Sequence, residues 1–264
     1  MVHFKSYVSD DRFLSFLGDS AVAQTARTLL EHAERHGLER SLQLLPPEAA
    51  RALDSTPGLR VTASPDYDDY ILSTAEWSAL AGKHYRNRRN VISRLRRESA
   101  PAVAPLDAGD PEAQRAMLDL FGRWATQRGI AGTSEAVNQA LALQRVSSLP
   151  RPGDLLSLGV WIDGGLAAFS INEPLSRGYA MGHFWKTDQR WPGAYTFLLH
   201  ETARALRAIG CDYLNVMQDL GVPGLRTAKS LCRPDHFLSK FDVRPIAVAP
   251  PPDPARVVLH MRAD

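Results

Sequence analysis

A chain of 264 residues with 44% apolar and 23% charged side chains is long enough for one large or two small domains, and its composition excludes a disordered or fibrous protein. The formal net charge is +2, so an affinity for polyanions has to come from where the cations sit and not from their total. The two cysteines, Cys211 and Cys232, have no metal-binding spacing and read as reduced thiols of a cytoplasmic protein, while no apolar run suits a membrane span or a signal peptide.

In chain order, the run Phe13-Leu14-Ser15-Phe16-Leu17 stops at Gly18. Asp19 or Ser20 then caps a helix with the stripe Val22, Ala26, Leu29, Leu30 and Ala33, closing at Gly37. Leu42 to Leu45 and Leu59 to Thr62 read as strands around a short helix from Pro47 to Leu53. Asp66, Asp68 and Asp69 decorate the turn before Tyr70-Ile71-Leu72; they lack the spacing of a calcium loop.

The stretch from Gly82 to Arg97 is the charge anomaly. It carries Lys83, Arg86, Arg88, Arg89, Arg94, Arg96 and Arg97 and no acid. Val91, Ile92 and Leu95 supply a narrow apolar stripe, so the segment reads as a helix lying on the body with its basic face outward. Such a face is either merely solvated or a surface for tRNA or another polyanion, with His84 and Tyr85 available for stacking.

Ser99 to Pro111 has linker composition and encloses a strand at Ala102 to Leu106. Two helices follow, Pro111 to Arg128 on Met117, Leu118, Leu120, Phe121 and Trp124, and Ser134 to Val146 on Val137, Ala140, Leu141 and Leu143. Leu155 to Ile162 and Leu166 to Ile171 flank Asp163-Gly164-Gly165, a hairpin signal. A third strand, Tyr179 to Lys186, is joined through Ser176-Arg177-Gly178 and carries His183 and Lys186. A helix from Gly193 to Ile209, a strand near Tyr213 to Val216, a short helix and a strand near Phe237 to Val243 complete the body. Ala247 to Pro254 reads as an extended connector and Arg256 to Met261 as a candidate last strand.

Three antiparallel strands, a crossover helix and a further strand form the element order of GNAT acyltransferases. Arg190-Trp191-Pro192-Gly193-Ala194-Tyr195 stands where such enzymes grip pyrophosphate with backbone amides. Pro192 removes one of those amides, which weakens acetyl-CoA as the donor. The segment Asn215 to Pro234 passes through Gln218-Asp219, turns on Gly221, Pro223 and Gly224, and enters a helix that puts Arg226 and Lys229 on one face. A carboxylate ending a strand beside two cations suits a polar substrate. An aspartate capping the helix beside two solvated cations remains the alternative.

Asp69-Tyr70, Gly82-Lys83-His84-Tyr85 with Arg89-Asn90, His183, Lys186, Pro192-Gly193-Ala194-Tyr195, and Asn215 through Pro234 together resemble the motif set of the phosphatidylglycerol lysyltransferase C-terminal (DUF2156) family. The resemblance runs in order from about Phe13 to Val243. It implies an α/β (α+β) chain of tandem GNAT-like folds with mixed, mostly antiparallel sheets flanked by helices. Residues 1–100 would form a degenerate domain bearing the basic helix, and 101–264 the catalytic domain.

The resemblance also implies an aminoacyltransferase taking its group from aminoacyl-tRNA as co-substrate, with no other cofactor and no metal. The sequence shows no transmembrane part, which points away from phosphatidylglycerol and toward the amine or hydroxyl of a soluble small-molecule or peptide acceptor, as in natural-product biosynthesis. Peripheral membrane contact, a lipid acceptor and an acyl-CoA donor stay open. For the chemistry, Asp219 is the candidate base or ammonium clamp, Lys229 and Arg226 the oxyanion or phosphate contacts, and His183 the proton carrier. Lys186, Tyr195, Asn215, Gln218 and Gly193 are the candidate substrate contacts, each with a plain structural reading beside it.

Overall fold

A computed structural model describes residues 2–5, 12–146, 148–149, 154–175 and 178–246. Residues 176 and 177 of the expected connection before the third strand, and the connector and last strand expected from 247 onward, lie outside the described residues. In chain order the elements are β1 (Val2–Lys5), β2 (Arg12–Ser15), α1 (Val22–Arg35), β3 (Leu42–Leu45), α2 (Pro47–Asp54), β4 (Leu59–Ala63) and β5 (Asp69–Ser73). Next come α3 (Thr74–Ala79), α4 (Arg86–Ser99), β6 (Ala102–Pro105), α5 (Pro111–Gln127), α6 (Ser134–Val146), β7 (Leu156–Ile162), β8 (Gly165–Pro174) and β9 (Tyr179–Thr187). The chain ends with α7 (Ala194–Ala208), β10 (Tyr213–Asn215), α8 (Pro223–Leu231), β11 (His236–Leu238) and β12 (Phe241–Pro245).

These elements form two compact units, one built on Phe13–Ala63 with the segment from Phe241, the other on Ser64–Lys240. The basic helix α4, expected with residues 1–100, is part of the larger unit. Its apolar stripe decides this, because Ile92 and Leu95 are buried in one cluster with Leu198 and Leu206 of α7.

In the smaller unit the strand order is β1-β2-β3-β12-β4. β2 runs parallel to β3, and β12 lies antiparallel between β3 and β4. The α1 stripe of Val22, Ala26, Leu29, Leu30 and Ala33 is buried against Leu42, Leu45, Leu53 and Val243. Neither Asp19 nor Ser20 caps α1; Ala21 does so in a left-handed conformation, without a side-chain bond.

The larger unit holds a seven-stranded sheet in the order β11-β5-β10-β9-β8-β7-β6. β6 to β9 form an antiparallel meander, and β10 is parallel to β9 through the α7 crossover. Apolar residues are buried on both faces. Trp77, Ile92, Leu95, Leu198 and Leu206 belong to one cluster, and Met117, Leu120, Phe121, Leu143, Phe169 and Ile171 to the other. Burying each such side chain contributes roughly 1.5 to 3 kcal/mol, which is why both faces need a helical layer.

Three details differ from the sequence reading. Val137 and Leu141 are exposed on α6, because the helix buries the offset stripe Ala136, Ala140 and Leu143. The single strand expected near Phe237 to Val243 is two strands. β11 pairs with β5, β12 pairs with β3 and β4, and Lys240 between them donates its backbone N–H to Asp68 and its ammonium to Asp69. α3 was not foreseen.

What positions the site is the divergence of β9 and β10. They pair only from Tyr213↔Tyr179 to Asn215↔Met181 and then separate. At the same point the β8–β9 register slips between Ile171↔Phe184 and Asn172↔Gly182, leaving His183 as an extra residue in β9.

Candidate functional site

A cavity of about 500 Å³ opens where β9 and β10 part. Gly182 to Lys186 of β9 form one wall, and Val216 to Gln218 with Leu220 and Val222 form another. Leu225 and Lys229 of α8, Tyr195 of α7, Trp124 and Arg128 from the end of α5, and Glu135 and Gln139 of α6 close the rest. The volume and the mixture of aromatic walls with a few polar groups are those of a small-molecule site.

The Asn215–Asp219 motif builds a wall and does not present its acid to the cavity. Asp219 is buried and its carboxylate is fully engaged. The Tyr70 hydroxyl donates to Oδ2 at 2.6 Å, Gly221 N–H to Oδ1 at 2.8 Å, and Arg226 gives Nε and Nη2 at 2.9 and 3.0 Å. The Arg226 bonds outweigh burial and hold the Asp219 pKa near 2. Arg226 Nη2 also reaches Asp66 at 2.5 Å, so it faces carboxylates on both sides, and its bonds to Asp219 first and Asp66 second raise its own pKa.

Asn215 Nδ2 donates to Asp69 at 3.0 Å while its Oδ1 accepts Met217 N–H at 2.7 Å. These bonds pin a strained loop in which Met217 (φ 62°) and Leu220 (φ 58°) are left-handed without being glycine, beside Gly221 (φ 70°). Lys229 completes the brace by donating to the carbonyls of Val216 at 2.5 Å and Gln218 at 2.6 Å. Burial, opposed by Asp69 and Asp219, lowers its pKa to about 8. Of the motif's candidate polar residues, the cavity sees Lys229 and Gln218; Asp219, Arg226 and Asn215 act behind its wall.

On the other wall Lys186 is only 8% exposed. Its ammonium sits 3.6 Å from the Trp124 ring centre and donates to Gln139 Oε1 at 2.8 Å. Gln139 Nε2 in turn donates to Glu135 Oε1 at 3.0 Å, so a carboxylate orients the amide that holds the lysine. Burial lowers the Lys186 pKa to about 8; Glu135 opposes this and Arg128 adds to it.

His183 is exposed at the rim with Nε2 2.8 Å from Glu173 Oε2. Tyr195 stands over the cavity with its hydroxyl 3.8 Å from Cys232 Sγ, and burial raises its pKa. The indole N–H of Trp185 is buried without a partner among the described residues. Glu135, Gln139, Trp124 and Trp185 were missed in the sequence. Trp124 reads there as an apolar stripe residue and Glu135 as an ordinary first-turn acid, and no spacing joins α6 to β9.

Gly193 lies outside the cavity, at the start of α7 with φ 98°. A β-carbon there would stand 2.7 Å from Val91 of α4. The preceding loop is closed around Asp188, a buried carboxylate that accepts from Arg190, Gln127 and Arg123 and is held well below the usual range.

The basic segment divides in two. Arg88 donates to the Leu231 carbonyl at 2.5 Å, Arg89 to the carbonyls of Leu80 and Gly82, and Arg96 to Glu201 at 3.0 Å. Lys83, Arg86, Arg94 and Arg97 are exposed. Among the described residues no group of three or more His, Cys, Asp or Glu could hold a metal, and no helix is long and apolar enough to cross a membrane.

A mixed sheet with one parallel crossover, a bulged strand and a cavity at the strand divergence is the architecture of a GNAT-like fold. The family described as phosphatidylglycerol lysyltransferase, C-terminal, matches residues 13–244, and the chain belongs to that family. The fold is similar to that of a conserved protein of unknown function from Bacteroides thetaiotaomicron VPI-5482, with TM-score 0.77, 22% identity, and 90% of this chain and 80% of that one covered. It is also similar to L-PGS from Bacillus licheniformis (TM-score 0.59, 15% identity, 83% and 71% covered) and to FemX (0.57, 11%, 88% and 80%). No curated protein sequence matches the chain.

Proposed function

We propose that the chain moves an amino acid from a charged tRNA to the amine or hydroxyl of a small-molecule or peptide acceptor, in the cavity between β9 and β10. One observation carries this reading: the basic helix and the cavity share their supports. Val91 of α4 packs on Gly193, two residues before the cavity residue Tyr195, and Arg88 holds the end of α8, whose Lys229 faces the cavity. An RNA lying on Lys83, Arg86, Arg94 and Arg97 would therefore be anchored beside the site that its charged end must enter. The family's description as a lysyltransferase supports the same class of reaction.

The aminoacyl ester is already activated, so positioning and charge stabilisation suffice. The acceptor nitrogen or oxygen attacks the ester carbonyl carbon and its bond to that carbon forms. The bond from that carbon to the ribose oxygen breaks, and the acceptor's proton ends on the ribose oxygen. Glu135, the carboxylate lining the cavity, takes the donor's α-ammonium in place of the saturated Asp219. Lys229 keeps one N–H for the developing oxyanion, and His183, held by Glu173, carries the proton.

The alternative acyl-CoA donor is disfavoured by the loop before α7. Its cation Arg190 is spent on Asp188, and α4 crosses the helix start where a pyrophosphate would rest. The test is to incubate the protein with individually charged tRNAs and a small-molecule extract. One tRNA should lose its amino acid only when protein and extract are both present. No loss from any charged tRNA, together with a thermal shift on adding acetyl-CoA, would overturn the reading.

A further inference from the structure

The charges facing the cavity are unbalanced in a way that the reaction does not require. Arg128, Lys186 and Lys229 face it against one carboxylate, Glu135. Lys229 gives two of its three N–H groups to the Val216 and Gln218 carbonyls, and Glu135 has one oxygen on Gln139. Lys186 is different. It is more than nine-tenths buried, makes one hydrogen bond, to Gln139, and rests on an aromatic ring. Two of its N–H groups therefore have no oxygen partner among the described residues. Taking an ammonium out of water costs several kcal/mol unless an anion or further hydrogen bonds compensate it. The vacant groups of Lys186 are donors, so the missing group is an acceptor.

We infer that the cavity binds a substrate carboxylate at Lys186, with Arg128 at the rim. The chain accordingly handles an acidic substrate, although its family is named for a lysyl group. The inference rests on the aminoacyl-transfer reading for the role of that substrate, but not for the subsite itself. If Glu135 takes the α-ammonium, no second cavity carboxylate among the described residues is left for a cationic donor side chain, whereas a carboxylate meets Lys186. The carboxylate belongs to an aspartyl or glutamyl donor, or to an acidic acceptor.

The experiment measures calorimetric binding of the full chain to the α-amides of aspartate, glutamate, alanine and lysine, and to glutarate. It uses the native chain, Lys186→Met and Glu135→Gln, and measures deacylation of the matching charged tRNAs in parallel. An acidic donor gives binding of the aspartate or glutamate α-amide that falls about tenfold or more in either variant, as expected for a lost charge-assisted bond. An acidic acceptor gives glutarate binding that falls in Lys186→Met and not in Glu135→Gln. Binding of the lysine or alanine amide as tight as the acidic ones, or acidic binding unchanged in Lys186→Met, overturns the inference, as does no binding of any carboxylate. Should lysyl- or alanyl-tRNA be deacylated in preference, aminoacyl transfer stands and the acidic substrate falls. If carboxylates bind through Lys186 while no charged tRNA reacts, the subsite stands and the transfer reading falls.

Discussion

Asp219 shows how a residue with a catalytic look can have its chemistry used up by its neighbours. Four donors occupy its oxygens, so it has no lone pair to offer a substrate proton and little basicity to receive one. Asp219→Ala would leave the Gly221 N–H unpaired, take the acceptor from the Tyr70 hydroxyl and remove one of the two carboxylates that hold Arg226, and should cost about 2 to 4 kcal/mol in urea unfolding. A general base would instead give a folded, equally stable and inactive protein. Gly182→Ala is a second sharp case, since its β-carbon would stand 2.5 Å from Trp185 Nε1 and 3.3 Å from the Asn215 carbonyl. The indole must swing away from its packing beside Tyr195, and the variant should lose stability in urea unfolding.

Lys186 supplies a pH signature. Its folded pKa, about 8, lies below that of an exposed lysine because of burial, with Glu135 opposing and Arg128 reinforcing; His183 and Lys229 also face the cavity. Below pH 8 both the folded and unfolded states hold the proton and the whole burial cost is present. Above it the unfolded chain binds more protons, so this lysine makes stability rise with pH until about 10.4. Carboxylate binding needs the ammonium and should weaken over the same range, which calorimetry at pH 7 and pH 9.5 would read.

At the scale of elements, the long periodic pieces were legible before any coordinates. α1, α5, α7 and the β7–β9 meander follow their apolar patterns because burial of one stripe or face is what forms them. α3 is marked only by its Ser73 cap, which accepts from Glu76 N–H, and a lone serine before six residues is a weak signal. The break between β11 and β12 was not legible, because it depends on Lys240 bonding Asp68 and Asp69 about 170 positions earlier. The cavity was half legible for the same reason. Lys229, Gln218, His183, Lys186 and Tyr195 lie on motifs, but Glu135 and Gln139 reach Lys186 only through the packing of α6. The structure also sorts α4. Arg88 and Arg89 hold carbonyls, so reversing them would disturb folding. Arg86, Arg94 and Arg97 changed together to Glu should leave thermal stability within a few degrees. The same triple variant should reduce the slope of log affinity for tRNA against log salt by about 2 to 3.

Taken as a molecule, the protein places its basic helix and its polar cavity on one unit, tied together through the start of α7 and the end of α8. That join is the central claim, and the position of the RNA's 3′ end tests it most directly. A tRNA carrying a photoreactive adenosine at its 3′ terminus would be crosslinked to the full chain and the attached peptides mapped by mass spectrometry. Crosslinks are predicted within residues 182–195 and 216–229, and they should vanish with the Arg86, Arg94 and Arg97 triple variant. Crosslinks confined to the Phe13–Ala63 unit, or an undiminished yield in that variant, would contradict the account.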